Sequence, residues 1–232
     1  MARPPNPDAP LRLLAAARAS FASVGVDQAR IADIAEAAGF SKATFYLYFE
    51  SKEAVFERLV NALFTASLAI VVEARTAQEA LVAEIGACTA EDWAQQSPRL
   101  LRFREHDRQV SERTLATLWD WRDVFACIEQ ASGARRLVFD QLLEGTRQTV
   151  TAQLHQAVAL GMLRPELDAE LVSEMLIGVY LQLARRMARL DARPDLSLWS
   201  RQIEAFLSSG IHGAAAPTPA SPRVSGADTV TT

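Results

Sequence analysis

The stretch Arg30–Phe56, RIADIAEAAGFSKATFYLYFESKEAVF, decides the fold. Ile31, Ile34, Ala35 and Ala38 recur at i, i+3, i+4 and i+7, which places them on one face of a helix, with Asp33 and Glu36 on the solvent side. Gly39 follows the last periodic residue, where a left-handed stop favours glycine. Ser41 is a natural N-cap for the next helix, because its hydroxyl can accept from a free backbone N–H. Phe45 and Phe49, four apart, face inward. Lys42, Ala43, Thr44, Tyr46, Leu47 and Tyr48 are left outward or along the rim. Ser51 caps a third helix, with Glu53 in its first turn where the macrodipole favours an anion. The pattern is a helix-turn-helix. Its second helix carries two tyrosines and a leucine outside, a costly face in water unless another surface covers it.

The order of residues from Asp33 to Gly39, then Ser41 to Tyr46, then Tyr48-Phe49, then Ser51 to Ala54, resembles the DNA-binding domain of the TetR (tetracycline-repressor-like) family of bacterial transcriptional regulators. Leu14, Ala17 and Phe21 fit its first helix, and Gly25 the end of that helix. The match covers roughly the first quarter of the chain; beyond it the likeness lies in length and helical character. The resemblance implies a reading helix laid in the major groove. Lys42, Ala43 and Leu47 would face base edges. Thr44, Tyr46 and Lys52 would hold phosphates, and Tyr48 would do either. Arg30 and Ser41 complete the predicted contact set, beside helix N-termini aimed at phosphates. The partners implied are a double-stranded operator, a second copy of the chain and a small-molecule effector, with no cofactor, no metal and no membrane, in the cytoplasm with the nucleoid.

Two positions depart from the family pattern. Ala29 stands where a threonine or serine usually caps the second helix and bonds a phosphate. Arg30 beside it is placed to compensate through its guanidinium. Glu50 brings a negative charge near the DNA backbone. In the first sixty residues Arg3, Arg12, Arg18, Arg30, Lys42, Lys52 and Arg58 are offset by Asp8, Asp27, Asp33, Glu36, Glu50, Glu53 and Glu57. The whole chain carries a net charge of -4. A bulk basic patch, the mark of indiscriminate nucleic-acid binding, is absent.

The 232 residues suit one or two domains with a substantial core. No uninterrupted apolar run reaches bilayer length. Cys88 and Cys127 are too few for a disulfide framework and read as reduced, buried thiols. The expected organisation is all-α: a disordered arm at 1–10, a three-helix helix-turn-helix domain at 11–57, a helical effector-binding and dimerisation domain at 58–211, and a disordered tail at 212–232. Within the second domain, Thr76–Glu79 matches a capping box opening a segment to about Gln96. Ser97-Pro98 starts a helix, and another runs from Ser111 to about Gln130. A long helix follows a break near Gly133 and ends at Gly161. Asp168 caps the next, to about Leu190, and Ser197 caps the last, to Ile211.

Three features bear on function beyond the reading helix. Leu171, Met175, Val179 and Leu183, with Ile203 and Phe206, form apolar faces suited to a two-fold interface; a dimer also places two reading helices in successive grooves of a palindrome. Trp93, Phe103, His106, Trp119, Trp121 and Phe125 are candidates for an effector pocket, since pockets are mostly apolar with few polar groups. Asp120 and Asp123 are spaced to share a helix face, a pattern better explained by solvated charge than by metal-dependent catalysis. The chain shows none of the usual nucleophile-elbow, phosphate-loop or zinc motifs of enzymes.

Overall fold

A computed structural model describes residues 6–159, 163 and 166–210. The expectations for residues 1–5 of the arm, for Gly161 and Ile211 as helix ends and for the tail 212–232 lie outside them. Every regular element among the described residues is helical: α1 (Ala9–Gln28), α2 (Ile31–Ala37), α3 (Lys42–Tyr46), α4 (Lys52–Ile85), α5 (Ala90–Gln95), α6 (Pro98–Asp120), α7 (Arg122–Glu129), α8 (Ala134–Ala159), α9 (Ala169–Met187) and α10 (Leu196–Gly210).

The head is built from α1 to α3 and the start of α4. Leu13, Ala17, Phe21, Ile34, Ala35, Phe45, Val55 and Phe56 share one core. A five-residue helix such as α3 is not stable alone. Its pose is therefore fixed by what it buries and by its cap. Phe45 is fully buried, Phe49 leans on it at 5.7 Å between ring centroids, and Ser41 Oγ accepts from Thr44 N at 3.1 Å. Helix α1 starts at Ala9, inside the segment expected to be arm, with Pro10 in its first turn. Gly25, at φ 78° and ψ 160°, interrupts it where the sequence pattern predicts its end.

The turn between α2 and α3 is set by Gly39, at φ 75°. Its N–H donates to Glu36 O and that of Phe40 to Ala35 O, each at 2.8 Å, the paired bonds of a Schellman stop. A Cβ at Gly39 would lie 2.8 Å from Nη2 of Arg12, whose guanidinium rests on the Phe40 ring.

The body departs from the predicted boundaries in several places. Thr76 lies inside α4, where its hydroxyl donates to Val72 O. The capping box is instead at Thr89, where Asp92 N donates to Thr89 Oγ1 and Thr89 N to Asp92 Oδ2. An aspartate in the third position hides it from the usual Glu/Gln pattern. Ser97 caps α6 as expected, but Ser111 lies within that helix, and the chain kinks at Trp121 before α7. Asp168 caps α9. At α10 the cap is Asp195, whose carboxylate accepts from Leu198 N at 2.8 Å, rather than Ser197.

Helix α4 packs on α1, α6, α7 and α8; α9 on α6, α7 and α8; and α10 on α6. Among the described residues α4 is the one helix long and apolar enough, by length and composition, to cross a membrane. The sequence reading found no such span because Glu73 and Arg75 interrupt the apolar run. The fold accounts for the apolar content: Val55, Phe56, Leu59, Val60 and Leu63 are core, and the next turns wall a cavity described below.

The head is docked to the body by Arg18 of α1. Its Nε and Nη2 reach both carboxylate oxygens of Asp123 at 2.6 Å, Nη2 also donates to Asp120 O, and the guanidinium stacks 4.6 Å from the Trp121 ring. Burial opposes ionisation of Asp123, but the hydrogen bonds and charge of Arg18 outweigh it and hold the carboxyl below its ordinary range. Asp123, expected to be solvated charge, is thus an anchoring point for the head, while Asp120 lends only its backbone carbonyl and keeps an exposed side chain. We expect Gly39→Ala to destabilise the protein by about 1–2 kcal/mol, from left-handed strain plus displacement of Arg12. An unchanged thermal midpoint relative to wild type would show that this turn does not constrain the head.

Candidate functional site

The residues expected to form the reading face lie on α3 and the turn after it. Lys42 and Ala43 are exposed, as are Tyr46 at 49% and Leu47 at 78%. Lys42 Nζ sits 6.0 Å from the Tyr46 ring centroid. The exposed group therefore offers one cation, one phenol and two apolar contacts on a single surface. Thr44 is half-buried, its hydroxyl 3.0 Å from Ser41 Oγ. Ser41 itself is exposed and serves the helix as its cap.

Two other predicted contacts, Tyr48 and Lys52, have structural partners. Tyr48 is half-buried and its hydroxyl donates to Asn6 O at 3.1 Å, which ties the start of α1 to the reading segment. Lys52 donates to Asp27 O at 2.7 Å and Ala29 O at 3.2 Å, so its ammonium neutralises the carbonyl end of α1. That is the favourable placement of a cation on a helix C-terminus. At α2 the N-cap is Arg30, with no side-chain capping bond, while Ala29 is buried. This corrects the assignment of the cap position to Ala29. The Arg30 side chain stays exposed at the N-terminus of α2.

The second site is a cavity of about 360 Å³ lined by α4, α5, α6, α7, α8, α9 and α10. Its walls are mostly apolar, with Leu63, Phe64 and Val71 from α4, Val110 and Leu118 from α6, Val150 and Leu154 from α8, and Leu176 and Leu181 from α9. Of the six residues proposed from sequence, Trp93, Phe103 and Phe125 line it. The other three do not. His106 looks away into a shallow groove between α4 and α6. Burial depresses its pKa, against a hydrogen bond with the Ala74 backbone. Trp119 is a core residue under the Arg122 guanidinium, and Trp121 holds Arg18 at the kink. Aromatic content alone could not separate these roles, because α6 and α7 change direction between Trp119 and Trp121.

Sequence reasoning missed Arg104, Glu204, Ser111 and Tyr180 among the polar groups of the cavity. Arg104 donates through Nε to Glu204 at 2.5 Å and through Nη1 to Gln96 at 2.8 Å. Ser111 Oγ and Tyr180 Oη are 2.8 Å apart. Asp107 lines the cavity between these pairs. Burial pushes its carboxyl up to about 7, with the Glu204 carboxylate adding to the effect. The available signal was their spacing: Phe103, Asp107, Val110, Ser111 and Thr114 share the stripe of α6 that faces inward. Cys88 also lines the cavity, and burial raises its thiol and that of Cys127 to about 11. Both cysteines are unpaired thiols, well above the range of reactive thiolates.

The predicted interface residues divide in the same way. Leu171 and Met175 of α9 and Phe206 of α10 are exposed. Val179 is half-buried, and Leu183 and Ile203 are half-buried against the core. Gly178 continues the Leu171–Met175 line, with open space where a Cβ would stand.

Residues 13–59 match the family described as bacterial regulatory proteins, tetR family. An uncharacterized HTH-type transcriptional regulator, YdgC, from Bacillus subtilis (strain 168) is 28% identical over 193 residues, covering 81% of this chain and 85% of that protein. The fatty acid degradation regulator FadR from Bacillus halodurans superposes with a TM-score of 0.66 at 21% identity, covering 90% of this chain and 98% of that one. FadR from Bacillus subtilis, solved in complex with stearoyl-CoA, gives 0.61 at 21% identity, covering 87% and 99%. At those identities the structural likeness is one of fold, while the helix-turn-helix match rests on the residues of the head. The head, residues 13–59, is thus a helix-turn-helix of the kind found in the tetR family of bacterial regulatory proteins.

Proposed function

We propose that the chain is a ligand-responsive repressor that binds a palindromic operator as a homodimer and releases it when a small apolar molecule fills the cavity between α4, α6, α8 and α9. One observation carries this reading: α4 begins at the reading head, capped by Ser51, and its later turns form a cavity wall. A shift of that wall is a shift of the head. The ligand acts only through the difference in its affinity for the two arrangements.

The remaining parts of the reading have their own support. Exposed Leu171, Met175 and Phe206, with Gly178 leaving room for close approach, favour a two-fold interface through α9 and α10. Two copies then present two reading helices to half-sites about one helical turn apart. The apolar cavity suits an elongated hydrophobic effector. The fatty-acid regulators of the same fold, one of them holding stearoyl-CoA, make a long-chain molecule a natural class to test. The cytoplasm is the compartment this function requires.

Operator fragments can be selected from the source genome with the purified dimer. Lys42→Ala and Tyr46→Ala should each weaken binding to the selected duplex by about ten-fold, at the low end of roughly 1–3 kcal/mol for a good contact, without changing the dimer mass in light scattering. Unaltered gel-shift affinity in both variants would remove the reading face assigned here. Failure to select any fragment would favour a head that has lost its DNA function. Lys52→Ala should differ from those two, lowering thermal stability as well as affinity, because its ammonium holds the end of α1.

Salt dependence tests the charge balance of the head. Affinity should fall by less than about 10³-fold between roughly 50 and 200 mM salt, below the loss seen with six or more phosphate contacts. A steeper fall would mean that more counterions are released than the charges on this face can account for.

A further inference from the structure

The charges at the polar corner of the cavity do not balance. Two carboxylates line it, Asp107 and Glu204, against one guanidinium, Arg104, the sole cation among the described lining residues. Arg104 is already engaged by Glu204 and Gln96. Asp107 has no hydrogen-bond partner among the described residues, although Ser111, Tyr180 and Arg104 on the same wall all have one. A carboxyl on the wall of a mostly apolar cavity without a partner is costly and is normally satisfied. Here it faces a space large enough for a ligand, with the aromatic side chains of Trp93, Phe103 and Tyr180 on the same lining.

We propose that the effector is a lipophilic amine, with an apolar body filling the cavity and a protonated nitrogen seated on the Asp107 carboxylate. The inference rests on the effector-cavity reading above and adds the chemistry of the head group. A carboxylate ligand placed there would meet Asp107 and Glu204 with no free cation to receive it. An alcohol can donate a hydrogen bond to Asp107 but leaves the negative charge uncompensated. An ammonium does both, and aromatic side chains on the same lining suit a cation.

The titration of the corner agrees with this assignment. The charged and titratable groups facing Asp107 are Arg104 on its own helix, Glu204 on α10, Tyr180 on α9 and Cys88 before α5. Burial raises both Tyr180 and Cys88, so neither ionises near neutrality. Asp107, at about 7, is the group that changes charge there. Because its folded pKa is raised, the folded chain keeps a proton that the unfolded chain has lost. Stability therefore falls as pH rises from the ordinary carboxylate range to about 7.

The test is calorimetric titration of the full-length protein at about pH 8, where Asp107 is ionised, with decylamine, decanol and decanoate, each below its micellar concentration. Decylamine should bind about ten-fold more tightly than decanoate. In Asp107→Asn that preference should disappear, while decanol affinity changes by less than about three-fold. Equal or tighter binding of decanoate, or an amine preference that survives in Asp107→Asn, overturns the head-group assignment and leaves the cavity reading standing. Binding of none of the three overturns both. A separate melting experiment shows whether the variant folds: without ligand, Asp107→Asn should melt above wild type at about pH 8, with the gap narrowing at about pH 5. A variant that melts below wild type at both would mean that Asp107 supports the fold instead of awaiting a ligand.

Discussion

The backbone hydrogen-bond ladder of α4 is the constraint on which the rest of the molecule depends. It runs without a break for 34 residues, from a Ser51 cap beside the reading helix to Gly86, or about 51 Å at 1.5 Å per residue. A helix of that length does not bend sharply without a proline, a bulge or an inserted group, and its sequence supplies no proline. One end is locked into the head by Val55, Phe56 and Leu59, and its later turns contribute Leu63, Phe64, Val71 and Ala74 to the cavity. The head and the cavity therefore share a rigid element.

The head was legible in the sequence because its physics is local. A seven-residue helix, a glycine stop and a five-residue helix leave few alternatives once Ile34, Ala35, Ala38 and Phe45 must all face one core. The Gly39 turn, the Ser41 cap and the Ser51 cap follow from hydrogen bonds spanning three to five residues. The body was legible as helical but not in its joints. Thr76 looks like a helix start, yet helical propensity and packing on α8 carry α4 past it. The kink at Trp121 is invisible locally, since it depends on Arg18, which lies more than a hundred residues away in sequence. The cavity lining was hidden for the same reason. It draws on seven helices, so its polar members meet only in three dimensions.

The charges of the head explain how a domain whose acids match its bases can offer the proposed binding surface. Lys52 stabilises the end of α1, and Arg12 is stacked on Phe40. Lys42 and Arg30 remain exposed at the N-termini of α3 and α2. Both stand beside backbone N–H groups that already favour an anion. Concentrating the available positive charge at helix N-termini uses fewer cations than a basic patch would, and it ties binding to the correct pose of two short helices. That pose in turn depends on the core beneath Phe45, so the stability of the head and its capacity to bind are set by the same contacts.

A single shared helix would leave the head free to swivel about its axis. The Arg18 anchor removes that freedom. It fastens α1 to the corner between α6 and α7, and those two helices also wall the cavity through Leu118 and Phe125. Arg135 of α8 adds a third attachment at Asp27, near the end of α1, at 2.7 Å. Each of these helices touches the cavity or adjoins one that does. A body held at several separated points follows their relative displacement and cannot absorb it by rotation at one joint. A molecule that widens the cavity by pushing α6 and α7 away from α4 must therefore tilt the head as well. In the proposed two-fold dimer such a tilt would change the distance between the two reading helices, and that distance must match the spacing of the half-sites on a duplex.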